Sequence, residues 1–419
     1  MLTRFHLRPW AKRCVIATCV VVIAVQWVVI MHRRAKGVGD FDVSREFGRR
    51  FLAREYLYAG GLHYPYLPSA AMYFAPLAMV NPTLGLALRY AVAVGGLWLT
   101  LHLLWIMVRD RAKGGSSIGF EIATITMLLA SHYIVRDLDD GGPHLILLAV
   151  LVGGIHCVWR GRDGLGAVWF GLATALKAPA GLFLPFFLWK RQWRLAAWTA
   201  AATACWILLP VVWMGPTSWW NHQREWSRVA LGSALGDAAP VADLSERRVQ
   251  NQALRPAVMR FLVTYPDGHP LRLSHPAYVS VLDLDPTTAS RLATGAVLGL
   301  VAICAWYGRH RYDGPADPRF LLECSAVLIL ALLLAPVAWL QHLVQIVPAL
   351  YVTVAERQTN RKLGRPAMTA MWGYIVLAVV LNREMLGRDV YLLLLSYHIH
   401  TIALLLVLGV LLLRRPTVG

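Results

Sequence analysis

The sequence is poor in charged residues. Asp, Glu, Lys and Arg make up 15% of its 419 residues, whereas about 25% is usual for a soluble domain. Hydrophobic residues make up 57%, and many apolar runs reach the roughly 20 residues that a bilayer span requires. The scarcity of charge excludes a soluble globular protein. It predicts an all-α, polytopic membrane protein in which a single domain, residues 1–419, forms one helical bundle.

The chain also lacks a cysteine framework. None of its six cysteines forms a CxxC pair or a metal-ligand spacing, and all of them lie in apolar runs, at Cys14, Cys19, Cys157, Cys205, Cys304 and Cys324. We therefore predict neither disulfide bonds nor a zinc site.

Acidic residues are few, so the balance of charge is strongly basic. The chain has 41 Lys and Arg against 23 Asp and Glu, a net charge of +18. In a soluble protein this excess would suggest nucleic acid as a partner. Here much of it lies in short loops on one side of the predicted bundle, and we expect no nucleic acid. The positive-inside rule places those loops and both termini in the cytoplasm.

The N-terminus has no convincing small-x-small cleavage site, so a removable signal peptide is not expected. Basic residues precede an apolar run from Cys14 to Met31. We interpret this run as an uncleaved first membrane helix.

The apolar runs predict a bundle of about 10–12 transmembrane helices. Their expected bounds are 12–31, 83–108, 118–135, 143–159, 164–177, 179–189, 194–214, 287–306, 317–335, 337–355, 367–382 and 391–413. The pair 164–177 and 179–189 is too short for two full crossings of a roughly 30 Å core. It is either two half-helices or one span broken at Lys177-Ala178-Pro179, since proline removes a backbone donor.

Two long loops, 32–82 and 215–286, are predicted on the outer face of the plasma (inner) membrane. The first contains an apolar piece, Ser69 to Val80, which is too short to span and is expected to lie as a helix at the outer interface. Tryptophans of the second loop suit the membrane–water boundary. Arginines are frequent in both loops, where they suit phosphate oxygens or, equally, anionic lipid headgroups.

Several ionisable residues are candidates for chemistry. Asp40 and Asp42 lie in the first outer loop, where a carboxylate is able to deprotonate a hydroxyl; a solvated or salt-bridged acid is the commoner role for a single Asp. Lys177 interrupts an apolar run, which indicates either a functional charge or snorkelling to the interface. His342 is a candidate donor to a phosphate or a sugar hydroxyl, or a polar residue at a helix end.

An acidic run, Asp137-Leu138-Asp139-Asp140, has the pattern of a metal-binding DxD motif. It is expected in a short outer turn before Gly141 and Gly142. Two carboxylates hold Mg²⁺ only with further ligands, which the sequence does not identify. A structural role in the turn is therefore the preferred interpretation, and no metal site is predicted.

Five stretches occur in a fixed order along most of the chain. They are Asp40-Phe41-Asp42-Val43, Gly60-Gly61 followed by Tyr64, Gly171 to Pro179 around Lys177, Asn251-Gln252-Ala253-Leu254 followed by Arg260, and Pro336 with Trp339 and His342. In this order they resemble glycosyltransferase family 87, membrane enzymes of the GT-C type that use polyprenyl-phosphate sugars. The chain departs from the family pattern at Gly141-Gly142-Pro143-His144, where the family often has Gly-Gln-x-Asn, and at Ala253, where it has serine.

The resemblance implies an inverting transfer of a hexose, most simply mannose, to a lipid-linked or glycan acceptor. Asp40 would be the catalytic base, and His342 would stabilise the phosphate leaving group together with Lys177 and Arg260. Asp42, Tyr64, Asn251 and Gln252 complete the implied substrate-binding set. The polyprenyl-phosphate sugar is a substrate, and the scheme requires neither a cofactor nor a metal ion.

Two other functions fit the same composition. A transporter or flippase of a lipid-linked sugar would also be a polytopic helical protein, although internal repeats are common in transporters and none is found here. A non-catalytic assembly partner with a decayed site would explain the departures from the family pattern.

Overall fold

The computed structural model describes residues 7–33, 37, 39–59, 66–109, 118–235, 250–264, 266, 268, 280–312, 314, 316–358 and 363–414. Every regular element within these residues is a helix. The predicted all-α class is therefore confirmed.

Within the described residues, the first half of the chain forms eleven α-helices, most of them joined by short turns. They are α1 (Pro9–Arg33), α2 (Gly39–Leu52), α3 (Pro68–Met79), α4 (Pro82–Val108), α5 (Gly119–Asp140), α6 (His144–Trp159), α7 (Asp163–Leu176), α8 (Phe183–Trp189), α9 (Trp193–Leu208), α10 (Val211–Met214) and α11 (Pro216–Leu235). A short 3-10 helix, Ala178–Leu182, separates α7 from α8.

The second half adds eight α-helices in the described residues. They are α12 (Leu254–Leu262), α13 (Pro286–Tyr307), α14 (Pro318–Leu334), α15 (Val347–Gln358), α16 (Arg365–Tyr374), α17 (Arg383–Leu386), α18 (Arg388–Ser396) and α19 (Ile399–Leu412). A 3-10 helix, Leu340–Ile346, precedes α15, and a π-helical segment, Ile375–Val380, continues α16.

Four described helices are long and apolar enough to cross a membrane. They are Pro9–Arg33, Pro82–Val108, Trp193–Met214 and Pro286–Tyr307. Counting two sharply bent helix pairs as one span each gives up to six. This number is lower than the 10–12 expected, because several apolar runs form helices that are shorter, or broken, rather than continuous spans.

The helices are interrupted at the predicted proline-associated break and also at a position for which no break was predicted. Helix α7 ends at Leu176, and Lys177 is extended, with φ −151° and ψ 110°. By contrast, the expected span 391–413 is divided by His398, which adopts a left-handed conformation with φ 52° and bends α18 away from α19 by 59°. The expected span 337–355 begins as a 3-10 helix.

Helix α2 lies within residues 32–82, the predicted first loop, where the apolar helix at Ser69 to Val80 was the one helix expected. Its buried residues recur every three or four positions, at Phe41, Ser44, Phe47, Gly48 and Phe51. This spacing gives one apolar face, and that face packs against α3, where the short apolar helix was predicted. Asp40 therefore lies in the first turn of a helix.

Helix α1 is attached to α5 by an ion pair near each end. Lys12 lies 2.9 Å from the buried Glu121, and Arg33 lies 2.8 Å from Asp139. Most of the remaining surface of α1 is not buried in the bundle. Its apolar exterior suits contact with lipid, as expected of a membrane helix.

Gly48 provides the close approach of α2 to α3. A Cβ atom at Gly48 would lie 2.5 Å from the backbone oxygen of Phe74. We expect Gly48→Ala to destabilise the fold by about 1–3 kcal/mol, because neither backbone is able to yield locally. Thermal unfolding in detergent measures the loss. Gly95→Ala is the control, since a Cβ there has no neighbour within 4 Å; an equal drop in melting temperature for both variants would contradict this packing argument.

Candidate active site

The ionisable residues singled out in the sequence meet where several helices begin or end. Asp40 lies in the first turn of α2, His144 is the first residue of α6, Lys177 follows the last residue of α7, and His342 lies in the 3-10 helix before α15. Helix termini bring polar backbone and side-chain groups together at one place. This end of the bundle is thus the candidate active site.

Lys177 is the centre of the site. Its Nζ atom lies 3.3 Å from His144 Nδ1 and 3.1 Å from His342 Nε2, and the two imidazole rings are 4.2 Å apart. Lys177 is only 9% exposed. As an ammonium group it donates to both ring nitrogens, which fixes His144 with its proton on Nε2. The buried lysine thereby orients two histidines toward the same cleft.

Asp40 faces this cluster. Its Oδ2 atom lies 3.9 Å from His144 Nε2 and accepts a hydrogen bond of 3.4 Å from Gln341 Nε2. Its side chain is 37% exposed, so a substrate is able to reach it. Asp42, two residues further along α2, is exposed. Because positions i and i+2 are about 200° apart around a helix, Asp42 points away from the cluster.

Two glycines let α2 approach the turn between α5 and α6. Gly141 has φ 64°, and a Cβ atom there would lie 2.7 Å from the Cβ of Phe41. A Cβ atom at Gly142 would lie 2.9 Å from Asp137 Oδ1 and 3.1 Å from Asp40 Oδ2. A larger side chain at either position would displace Asp40 from the cluster.

The acidic run at 137–140 has a structural role in the described residues. It forms the last turn of α5, rather than the outer turn that was expected. Asp137 is buried and accepts hydrogen bonds from the backbone N–H groups of His144, at 3.3 Å, and Leu145, at 3.0 Å. Asp139 pairs with Arg33 and Asp140 with Arg136. Across the described ranges, no three His, Cys, Asp or Glu residues are arranged to hold a metal ion.

Two residues of the observed site, His144 and Arg89, were not among the site residues predicted from the sequence. His144 was noted only as a departure from the family pattern; in the structure its Nε2 atom has no hydrogen-bond partner within the described part of the chain. Arg89 is buried in α4, where it interacts electrostatically with Asp137 and His144. An arginine inside an apolar span is itself a signal of function, and applying that rule to the span 83–108 would have found it.

An apolar cleft lies beside Lys177. It is lined by Tyr66, Tyr73, Phe74, Pro143, Ile146, Leu147, Leu176 and Lys177. The Lys177 ammonium lies 5.6 Å from the centre of the Tyr66 ring. The cluster therefore has a carboxylate on one side and aromatic and aliphatic groups on the other, which suits a ligand with an apolar part and an anionic part.

Asn251 and Gln252, which were expected to bind substrate, form hydrogen bonds with backbone groups through their side-chain amides. Asn251 Nδ2 donates to Pro336 O at 3.0 Å, and its Oδ1 accepts from the backbone N–H of Ala338 at 2.9 Å. Gln252 Nε2 donates to Leu395 O at 3.1 Å, and its Oε1 accepts from the backbone N–H of His400 at 3.3 Å. Asn251 thus holds the segment that leads to His342, and Gln252 holds the bend between α18 and α19.

Arg260 is buried in α12, beside the bend between α18 and α19. Its Nε atom donates to Ser396 O at 3.1 Å, and its guanidinium lies 5.2 Å from the centre of the Tyr397 ring. These contacts attach α12 to the bend. Tyr64, the remaining predicted binding residue, lies outside the described residues.

Together the fold and the site define a helical membrane protein with a buried, cation-rich site at one end of its bundle. The model of glycosyltransferase family 87 matches residues 64–336 of the chain, which is more than half of its length. The chain belongs to glycosyltransferase family 87. The resemblance inferred from the motifs is thus confirmed, although Asp40 and His342 lie outside the matched range.

Curated relatives come from mycobacteria. The chain is 24% identical over 325 residues to a polyprenol-phosphate-mannose-dependent alpha-(1-2)-phosphatidylinositol pentamannoside mannosyltransferase of Mycobacterium tuberculosis (strain CDC 1551 / Oshkosh), a match that covers 76% of this chain and 64% of that protein. It is 25% identical over 358 residues to a polyprenol-phosphate-mannose-dependent alpha-(1-2)-phosphatidylinositol mannoside mannosyltransferase of Mycolicibacterium smegmatis (strain ATCC 700084 / mc(2)155), covering 79% of this chain and 73% of that protein. No solved structure matches the chain significantly.

The Asn251 contacts predict a loss of stability rather than a loss of binding alone. We expect Asn251→Ala to lower the free energy of unfolding by about 1–3 kcal/mol, since the buried backbone N–H of Ala338 and the carbonyl of Pro336 lose their partner. Thermal unfolding without substrate measures this. A variant of unchanged melting temperature that had lost only substrate affinity would show that Asn251 acts on the substrate directly.

Proposed function

We propose that the chain is an inverting glycosyltransferase that moves mannose from a polyprenyl-phosphate donor to a glycolipid or glycan acceptor. The observation that carries this proposal is the position of Asp40 beside the buried cluster of Lys177, His144 and His342. A base and a cationic group within one small site are the two functions that the reaction requires. Family membership and the activities named for the relatives support the same reaction.

Asp40 is the proposed catalytic base. Its carboxylate takes the proton of an acceptor hydroxyl while the hydroxyl oxygen attacks the anomeric carbon of the sugar. The new C–O bond forms on the face opposite the phosphate, and the bond between the anomeric carbon and the phosphate oxygen breaks. The partial exposure of Asp40 leaves its oxygen accessible to the acceptor.

The cationic cluster is the proposed site of the departing polyprenyl phosphate. That leaving group takes the electron pair of the broken bond and needs stabilisation of its negative charge more than a proton. The Lys177 ammonium and the unpartnered His144 Nε2–H are available as donors. Burial strengthens their interaction with an anion because little water is present to screen it. The buried Arg89 adds positive charge from α4.

The proposal also covers the two substrates and the side of the membrane on which the active site lies. The apolar side chains beside Lys177 would contact the first part of the prenyl chain, although the recess between them, about 10 Å³, is too small to enclose it. By analogy with the names of the relatives, the acceptor would be a mannosylated phosphatidylinositol. The active site would lie on the outer face of the plasma membrane, with both termini in the cytoplasm, as the distribution of basic loops predicts. Family membership disfavours the transporter alternative.

The role of Asp40 is tested by isosteric substitution. We expect Asp40→Asn to reduce sugar transfer by roughly 100- to 10,000-fold, because the amide is unable to accept the proton. Radiolabelled polyprenyl-phosphate mannose and a glycolipid extract, supplied to protein in nanodiscs, provide the assay. Asp42→Asn is the matched control, since Asp42 faces away from the cluster, and it should retain activity. Full activity of Asp40→Asn would refute the assignment of the base.

Lys177→Met separates function from stability. The substitution keeps the aliphatic length of the side chain and removes a buried charge, so we expect an unchanged or higher melting temperature. Transfer should fall by roughly 100- to 1,000-fold, because the phosphate loses its main cationic partner. Unfolding curves and initial rates on the same preparation give both quantities. A variant that is unstable yet active per folded molecule would indicate that Lys177 serves the fold alone.

A further inference from the structure

A second cavity lies just beyond the C-terminal end of α2. Its volume is about 610 Å³, within the range of small-molecule binding sites, roughly 300–1,000 Å³. The walls come from the segment after α2 and from the first turns of α11. Six of its nine lining residues carry polar side chains, namely Arg54, Tyr56, Thr217, Ser218, Asn221 and His222. The residues of the candidate active site are not among them.

One wall of this cavity is a rigid aromatic platform. The Tyr56 ring is 45% exposed and lies 5.0 Å from the ring of His222, at an interplanar angle of 30°. His222 is only 3% exposed. Its Nε2 atom accepts from the backbone N–H of Leu57 at 3.0 Å, and its Nδ1 atom donates to Ser218 O at 2.6 Å. Because both ring nitrogens are engaged, His222 fixes the plane on which Tyr56 rests.

The other wall presents uncharged hydrogen-bonding groups. Thr217 and Ser218 each lie on the same face of α11 as Asn221, since residues three and four positions apart are neighbours on a helix. Their hydroxyl and amide groups both donate and accept hydrogen bonds. An aromatic face opposite such groups suits a sugar, whose apolar face packs on a ring while its hydroxyls bond to amides and hydroxyls.

Arg54 is the one Lys or Arg residue in the lining, and it contacts a neighbouring aromatic ring. The guanidinium of Arg54 lies 4.9 Å from the ring centre of Trp213. The other polar side chains of the lining are uncharged hydroxyl, phenol and amide groups and the His222 imidazole, whose two nitrogens are engaged, and this suits a neutral ligand. Arg54 also has a left-handed backbone, with φ 56°, at the end of α2. Glycine is the usual residue there, so a side chain is kept at this position in spite of the strain.

Helix α2 connects the cavity to the candidate active site. Its 14 residues run from the turn that holds Asp40 to Leu52, a distance of about 20 Å. An acceptor of several sugar units whose reactive hydroxyl lies at Asp40 is long enough to reach Tyr56 along this helix. We propose that the cavity binds a neutral oligosaccharide segment of the acceptor, remote from the reactive hydroxyl. This proposal rests on the proposed function, because it assumes a glycan acceptor.

The test measures oligosaccharide binding and sugar transfer on the full-length protein in nanodiscs. Mannohexaose is the binding probe, with mannobiose as the short comparison, and saturation-transfer NMR is the readout. We expect Tyr56→Ala and Asn221→Ala to weaken mannohexaose binding roughly ten-fold. They should raise KM to a similar extent for glycolipids with long glycans, while kcat and the KM for short-glycan acceptors stay unchanged.

Two controls isolate the cavity. Tyr56→Phe keeps the aromatic face and should bind as the wild type does. Trp220→Ala removes an exposed aromatic ring on α11 that does not line the cavity. This substitution should leave mannohexaose binding unchanged. Equal binding in wild type and Tyr56→Ala would overturn the proposal, as would a wild type that transfers sugar but does not bind mannohexaose. A third outcome is a wild type that binds mannohexaose but shows no transferase activity, with binding lost in Tyr56→Ala. This outcome would support the proposed binding role of the cavity and refute the proposed reaction.

Discussion

A buried ammonium group in a membrane bundle must be surrounded by polar partners, because isolated charge is strongly disfavoured in an apolar interior. Lys177 meets this requirement with two imidazole nitrogens from distant parts of the chain. Its own helix ends just before it, and the histidine from the second half of the chain comes from a 3-10 segment rather than a regular α-helix. Irregular backbone thus occurs where the charge is satisfied.

Around this centre, side chains that contact backbone groups do much of the positioning. Asp137 holds the start of α6 and with it His144. Asn251 ties its own segment to the residues before His342, and Gln252 ties that segment to the bend between α18 and α19. Each of these contacts joins two segments that are remote in sequence. The geometry of the cluster therefore depends on polar side chains that contact backbone groups rather than the side chains of the cluster.

Hydropathy predicted the apolar helices well, because burial in lipid and burial in protein favour the same residues. It predicted fewer interruptions than the structure contains: the break at Lys177 was signalled by Pro179, whereas the bend at His398 has no glycine or proline to mark it. Helix α2 was missed because its periodic apolar residues lie among many charges, which resemble a polar loop. Motif order singled out Asp40, Lys177 and His342, which the structure places near one another. The charge of Arg89 within an apolar span was a local signal of its role, whereas His144 joins the site only through tertiary contacts, which no local pattern records.

The hydrogen bond between Gln341 and Asp40 joins residues 301 positions apart. A membrane protein is inserted from its N-terminus as it is synthesised. The segment with Asp40 is therefore inserted before most of the bundle, including its partner Gln341, has been synthesised. Contacts of such long sequence separation form late, since the entropy of closing the loop is lost before the contact stabilises it. The cluster therefore becomes complete only near the end of biogenesis. Until then the chain has a membrane-inserted fold in which the candidate site is incomplete.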